Sequence, residues 1–247
     1  MLIKSKVKYI QTLSQKKVRD TDGIFVAEGT KSINDFLASG NTPLEALYYL
    51  PEWAAENGRL LSDIPESTRQ EITAMEMEKI SFLHTPSPVL GLFKKPVFRD
   101  QLQTKQSFGL VLDAIQDPGN MGTIIRTADW FGVSYIICHG DCADCFSPKV
   151  VQSTMGSLAR VRIEYRDAIS FLKDNIQVPV FAALLEGKSI YELPKQSEGI
   201  LLIGNESKGL RLELLQGNIQ PVTIPGRGGA ESLNAAVATG ILLSHLI

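Results

Sequence analysis

Three short runs in the second half of this 247-residue chain combine glycine with side chains that can bind or polarise a ligand. They are Asp117-Pro118-Gly119-Asn120-Met121-Gly122-Thr123-Ile124-Ile125-Arg126, Gly204-Asn205-Glu206-Ser207-Lys208-Gly209-Leu210, and Ile224-Pro225-Gly226-Arg227-Gly228-Gly229-Ala230-Glu231-Ser232-Leu233-Asn234. Each lies at the end of an apolar segment, where a strand would hand over to the next element. Glycine at such a junction permits positive φ or a close approach of backbone to ligand, although a tight turn alone would use it too. The amides and carboxylate offer directional hydrogen bonds, and Arg126 offers a permanent cation. None of the runs fits the G-x-G-x-x-G dinucleotide fingerprint or the G-x-x-x-x-G-K-[ST] phosphate loop. Nicotinamide enzymes and phosphate-loop nucleotidases therefore fall away.

A second constellation is Cys138-His139-Gly140-Asp141-Cys142-Ala143-Asp144-Cys145. Its C-x3-C-x2-C spacing is that of iron–sulfur clusters in radical S-adenosylmethionine enzymes, and three thiolates so spaced can hold a cluster in principle. Those enzymes build a barrel of repeated strand–helix units, and no such chain follows. Cys138 ends an apolar strand and reads as a small buried hydrophobe. The expectation is no metal, zinc through His139, Cys142 and Cys145 included, and an odd cysteine count argues against a disulfide framework.

Stepping outward, residues 8–19 read as a short basic helix, Gly23–Ala27 as a strand, and Thr30–Ser39 as a helix with Ile33, Phe36 and Leu37 on one face. Leu44–Leu50 is a strand before a Pro51-led helix, Ala74–Leu83 a helix, and Val89–Phe93 a buried strand. This alternation predicts a small N-terminal α/β domain over residues 1–94. Residues 95–106 lose the apolar rhythm and are read as a linker. From 107 to 247 the pattern restarts. Gly109–Leu112, Ser134–Cys138, Val178–Leu184, Ile200–Ile203 and Gln220–Ile224 are strands, while Asn120–Phe131, Ser147–Leu158 and Ser232–Leu246 are helices. Continuously apolar strands between helices imply a parallel sheet with helices on both faces. Ligands of such sheets bind outside the carboxyl ends of the strands, where the three runs fall.

In order and spacing, the segment from Asn120 through Arg126 to Phe131-Gly132, the Gly204-Asn205-Glu206 turn, and the run from Ile224-Pro225 to Ser232-Leu233-Asn234 resemble the three motifs of the SpoU (TrmH-type) RNA 2′-O-methyltransferases. Lys17-Val18-Arg19, Gly23, Phe25, Glu28-Gly29 and Lys31 are similar to the substrate-binding domain that precedes many members. The resemblance implies a SPOUT trefoil knot in the C-terminal domain, a homodimer formed through that domain whose sites borrow residues across it, and S-adenosylmethionine as cofactor. It implies cofactor-binding positions at Gly204, Ile224 and Leu233. Arg126 is then the catalytic residue, with Asn120, Glu206, Ser232 and Asn234 in the polar network that orients arginine and cofactor. A guanidinium is a poor base because its pKa exceeds about 12. Binding the target phosphate and stabilising the developing alkoxide is the role that fits it, with a general base of strongly perturbed pKa as the alternative. Glu206 would equally suit a helix N-terminus, and Asn234 a helix cap. Many members carry Met after the Ile-Pro pair, where Gly226 stands here.

The expected reaction is methylation of a ribose 2′-hydroxyl in structured RNA, ribosomal RNA first and transfer RNA as the alternative. The rival from another class is an RNA-binding assembly factor that has lost catalysis. A net charge of −2 argues against nucleic acid gripped over the whole surface. Residues 1–31, however, carry seven Lys/Arg against three acids, which suits phosphate contacts at one end or a solvated helix face. A hydrophobic fraction of 44% with 21% charge is ordinary for a globular protein. No apolar run approaches the length of a membrane span, and MLIKSKVKYI lacks the apolar core of a signal peptide, so a cytoplasmic location is expected.

Overall fold

The computed structural model describes residues 1–98 and 100–247; Arg99, within the expected linker, lies outside them. In chain order the elements are α1 (Lys4–Thr12), α2 (Lys16–Asp22), β1 (Ile24–Glu28), α3 (Thr30–Ser39), β2 (Leu44–Tyr49), α4 (Pro51–Glu56), α5 (Gly58–Ser62), β3 (Arg69–Glu71), α6 (Ala74–Ile80) and β4 (Val89–Lys94). Then come β5 (Phe108–Asp113), α7 (Pro118–Trp130), β6 (Tyr135–His139), α8 (Pro148–Thr154), β7 (Arg162–Tyr165), α9 (Ala168–Asp174), β8 (Val180–Ser189), β9 (Gly199–Ile203), β10 (Ile219–Thr223) and α10 (Ala235–Leu246). They form two compact units, one of residues 1–97 with 146–159, the other of 98–145 with 160–247.

The first unit is a four-stranded mixed sheet in the order β1-β4-β2-β3. All five residues of β1 are buried because both of its faces are covered. On one side Ile10, Leu13, Met77 and Ile80 pack with Val26, Leu90 and Leu92. On the other, the Phe25 ring meets Phe36 at 5.2 Å and Phe146 at 5.1 Å between centroids. Phe146 opens the segment 146–159, so this stretch completes a core begun more than a hundred residues earlier.

The expected helix over 8–19 is two helices. The chain breaks after Thr12, and the Arg19 guanidinium turns back to donate to the carbonyls of Leu13 (2.6 Å) and Ser14 (2.8 Å). Arg19 is only 2% exposed; it satisfies carbonyls freed at a helix end and is not available to phosphate. Lys31 likewise donates to Asp35 and to the Met155 carbonyl. Lys4, Lys8 and Lys17 remain exposed.

The second unit is a six-stranded sheet in the order β10-β8-β9-β5-β6-β7, parallel at every pairing. The central strands β5 and β9 are buried along their whole length, which is why their sequences show no alternation. From β5 the chain winds outward through β6 to β7; it then restarts beyond β9 at β8. The strand order thus reverses between β5 and β9, and the carboxyl ends of these two strands flank a topological switch point. Helices α7 and α10 pack against each other. Among the described residues no helix is long and apolar enough to cross a membrane.

Candidate active site

The first motif is a helix start. Asp117 caps α7, its Oδ1 accepting from the Asn120 backbone N–H at 2.8 Å, and Pro118 occupies the first helical position. That cap directs Asn120 into the crevice beside β9, where its Nδ2 donates to Glu206 Oε1 at 2.6 Å.

Glu206 sits at the tip of the second motif, a closed turn. The Asn205 and Gly209 backbones bond each other in both directions, at 3.1 and 2.9 Å. Asn205 Oδ1 accepts from the N–H groups of Ser207 (3.0 Å) and Lys208 (3.1 Å), and its Nδ2 donates to the Ala114 carbonyl at 2.8 Å. Gly204 is obligatory for closure, because a Cβ there would lie 2.4 Å from the Gly209 carbonyl carbon. Ala114 holds a left-handed conformation, φ +55°, which an L-residue adopts only when its surroundings hold it there.

The third motif ends on a cap. Asn234 Oδ1 accepts from the Ala236 and Val237 N–H groups at 2.9 and 3.2 Å, opening α10, while its Nδ2 donates to Asn120 Oδ1 at 2.8 Å. One directed chain therefore runs from the Glu206 carboxylate through Asn120 and Asn234 to the α10 N-terminus, joining all three motifs. Its polarity is set at both ends: a carboxylate only accepts and backbone N–H only donates, so each amide has one usable orientation.

The other expected residues are placed differently. Arg126 is exposed and makes no hydrogen bond or ion pair among the described residues. It lies six residues past Asn120, about 240° further round the helix, so it leaves α7 from another face. Ser232 is exposed and joins no hydrogen bond among the described residues. Ile224 is half-buried, Leu233 is 47% exposed, and around Gly226 a Cβ would meet nothing within 4 Å.

Two residues that sequence reasoning passed over, Asp113 and Ala114, and one that it placed in the second motif without a role, Asn205, are structural parts of the crevice. Asp113, 1% exposed, accepts from the Arg211 N–H at 2.8 Å and lies 3.2 Å from its Nε, anchoring the chain just after the second motif to β5. A charge ending a fully apolar strand was the available signal. Asn205 and Ala114 supply the second tie. Beyond Ala182, β8 leaves β9 and runs on beside β10, where Thr223 Oγ1 donates to the Leu185 carbonyl at 2.9 Å.

Residues 107–244, more than half of the chain, match the model of the SpoU rRNA methylase family. The chain belongs to that family. Residues 4–91 match the model of the MRM3-like substrate binding domain. Among SpoU relatives, the chain is 30% identical to the 23S rRNA (guanosine(2553)-2′-O)-methyltransferase RlmP of Bacillus subtilis, over 98% of this chain and 95% of that protein. It is 29% identical to the 23S rRNA (uridine(2479)-2′-O)-methyltransferase of Streptomyces viridochromogenes, over 93% and 85% of the two chains. The fold superposes on the crystal structure of an AdoMet-bound rRNA methyltransferase from Sinorhizobium meliloti with a TM-score of 0.87 and 34% identity, covering 100% of this chain and 95% of that one. The SpoU match includes 146–159, the stretch that packs in the first unit here.

Proposed function

We propose that this SpoU-family chain transfers a methyl group from S-adenosylmethionine to a ribose 2′-hydroxyl of ribosomal RNA. The single observation that carries the reading is the hydrogen-bond chain Glu206–Asn120–Asn234, drawn from three separate motifs to the switch point of a parallel sheet. The rRNA activity and bound AdoMet named for its relatives support it.

The crevice suits the cofactor. The preformed 204–210 turn offers backbone groups that need no reordering on binding. The exposed Leu233 and half-buried Ile224 are apolar surface at strand and helix ends, and the described residues leave Leu233 47% exposed. Bound S-adenosylmethionine supplies a methyl group on a cationic sulfur, an electrophile for an oxygen nucleophile. Gly204, Ile224 and Leu233 hold it, and Asn120, Glu206, Ser232 and Asn234 shape the polar wall. Arg126 keeps its guanidinium free for a target phosphate and for the negative charge that grows on the attacking oxygen.

Because Arg126 leaves α7 away from Asn120, it serves the site of a second copy in a homodimer. Trp130, one turn on along the same face and 84% exposed, and Val237 of α10, 51% exposed, are the apolar surface that such a copy would cover. The trefoil knot of the SPOUT fold, an RNA-binding role for the first ninety-odd residues through exposed lysines such as Lys4 and Lys8, and work in the cytoplasm complete the reading. An assembly factor without catalysis would have no use for the complete amide–carboxylate chain. The test is methyl transfer from labelled S-adenosylmethionine to ribosomal RNA, with ribose methylation mapped by nucleotide. Label at one 2′-oxygen is expected; base-linked label or none would refute the proposal.

A further inference from the structure

Helix α1 carries Lys4, Val7, Lys8 and Gln11 at positions i, i+3, i+4 and i+7, which places them on one face. All four line an open groove of about 910 Å³ in the first unit, whose other wall is the β3–α6 connection and helix α6. Two hydrogen bonds tie the walls together. The Leu2 N–H, just ahead of α1, donates to Glu76 Oε1, and Gln11 Nε2 near the end of α1 donates to the Lys79 carbonyl at 2.9 Å. The groove therefore exists before any ligand arrives.

Its lining is of two kinds. Val7, Pro51, Ile72 and Met75 are apolar; Ile72 is buried, while Met75 is 69% exposed and Pro51 is exposed as well. Lys4, Lys8 and Lys79 are exposed, and none of them forms an ion pair among the described residues. Of the two acids in the lining, Glu76 is engaged: Oε2 accepts from the Thr73 N–H at 2.9 Å and its hydroxyl at 3.1 Å, while Oε1 holds Leu2. Only Glu71 is left to oppose three cations. Other basic groups of the first thirty-one residues are occupied at home. Lys16 pairs with Asp20, Arg19 serves carbonyls, Lys31 pairs with Asp35, and Lys6 lies over the Tyr9 ring.

We propose that this groove binds an unpaired segment of the RNA substrate, a base lying on Val7, Pro51 and Met75 and phosphates on Lys4, Lys8 and Lys79. RNA as the occupant rests on the reading of the chain as an rRNA methyltransferase. A paired helix keeps its bases stacked inside and offers a protein mainly phosphates and ribose edges. It would meet the lysines and leave the apolar lining in water. An unpaired strand offers phosphates and a free base face together, and so matches both halves of the lining. Lys4 and Lys8 stand one turn apart, about 6 Å along the helix axis, so they meet neighbouring phosphates while Lys79 approaches from the opposite wall. No lining side chain among the described residues is aromatic. The base is held by apolar contact without an aromatic platform, and recognition tolerates any sequence.

The experiment follows fluorescence anisotropy of the full-length protein with a labelled single-stranded oligouridine, a fully paired RNA of the same length and an oligoglutamate peptide. The single strand should bind at least about tenfold tighter than the duplex, or about 1.4 kcal/mol. On a single strand each phosphate contact adds about 0.7 to the slope of log affinity against log salt, so Lys4→Gln with Lys8→Gln should flatten it by about 1.4. Met75→Ser should weaken binding at an unchanged slope, and Lys173→Gln, an exposed charge on α9, should change neither. Crosslinks from 4-thiouridine in the oligomer should map to residues 1–11 and 71–79. Duplex bound as tightly as single strand, an unmoved slope in the lysine pair, or crosslinks confined to other peptides would overturn the proposal. Oligoglutamate bound more tightly than oligouridine would reassign the groove to an acidic protein segment. The two readings fail separately. Oligouridine held in the groove by a protein that transfers no methyl group to rRNA would sink the reaction alone; methyl transfer with groove variants that bind as the parent does would sink the groove alone.

Discussion

Asn234 does two separable things, and one substitution divides them. Its Oδ1 caps α10 and its Nδ2 continues the chain to Asn120. Asn234→Ala removes both. Loss of the cap costs about 1 kcal/mol and the partly exposed side-chain hydrogen bond about 0.5–1.5 kcal/mol, or about 2 kcal/mol together, which lowers Tm by roughly 4–8 °C at this chain length. Asn234→Asp keeps an oxygen for the cap, and its charge at a helix N-terminus is favourable by about 0.3–1 kcal/mol. The same carboxylate cannot donate to Asn120, and if the Asn120 amide flips to serve it, Asn120 Oδ1 then faces Glu206. One acceptor–acceptor clash survives whichever way the amide turns. The aspartate variant should therefore unfold within about 3 °C of the parent, a net change of under about 1 kcal/mol. Its single-turnover methyl transfer should nonetheless fall at least about tenfold, some 1.4 kcal/mol of barrier. Thermal unfolding and single-turnover kinetics on both variants decide the matter. Asn234→Asp melting as low as Asn234→Ala would refute the cap; parent-like turnover would refute a catalytic role for the chain.

Arg126→Ala breaks no hydrogen bond or ion pair among the described residues, so its stability should stay within about 0.5 kcal/mol of the parent while turnover drops about 10²–10³-fold; near-native turnover would return Arg126 to an ordinary surface charge. Gly204→Ala drives a Cβ into the Gly209 backbone and should weaken S-adenosylmethionine binding at least tenfold by calorimetry, whereas Gly226→Ala, in open space, should leave stability unchanged; equal behaviour of the two would remove the closed turn from the argument. Burial raises the pKa of Glu28 above 4.5 despite its hydrogen bonds from Ser81 and Phe82. The folded state then holds that proton more tightly than the unfolded one, so this group's contribution is greatest below about 4.5 and is lost as pH rises through the folded value. Glu28→Gln should therefore gain on the parent in urea midpoint between pH 4 and pH 8, and parallel pH profiles would contradict this.

Strands β1, β4, β5 and β9 were legible because they are buried along all or nearly all of their length and are written as apolar runs closed at most by one charged residue. The edges were not. Strand β7, Arg-Ile-Glu-Tyr, is half-buried at the sheet margin and carries an Arg162–Glu164 ion pair that hides it among polar residues. The short β3 and α9 were missed for similar reasons of length and exposure. Strand β8 runs to Ser189, past the expected end at Leu184, because after an irregular stretch its polar end Lys188-Ser189 pairs with Val222 and Thr223 of β10. In the crevice, motif spacing singled out Asn120, Glu206 and Asn234, which the fold does join. Asp113 and Ala114 escaped notice, and Asn205 was seen only as a motif member, because their work is to tie one loop to another, and pairing across ninety residues leaves no local pattern to read.

The excursion of residues 146–159 into the first unit has a consequence for biosynthesis. Phe146 closes over Phe25, so the N-terminal core stays open after its own four strands have been made. Between residues 97 and 159 the ribosome adds some sixty residues, about 3–12 s at 5–20 residues per second. Throughout that interval the nascent N-terminal segment exposes aromatic surface, and a stop after residue 97 never supplies its cover. Although two sequence families meet in this gene, the chain is not two beads on a string: the earlier one matures only when much of the later one has been translated.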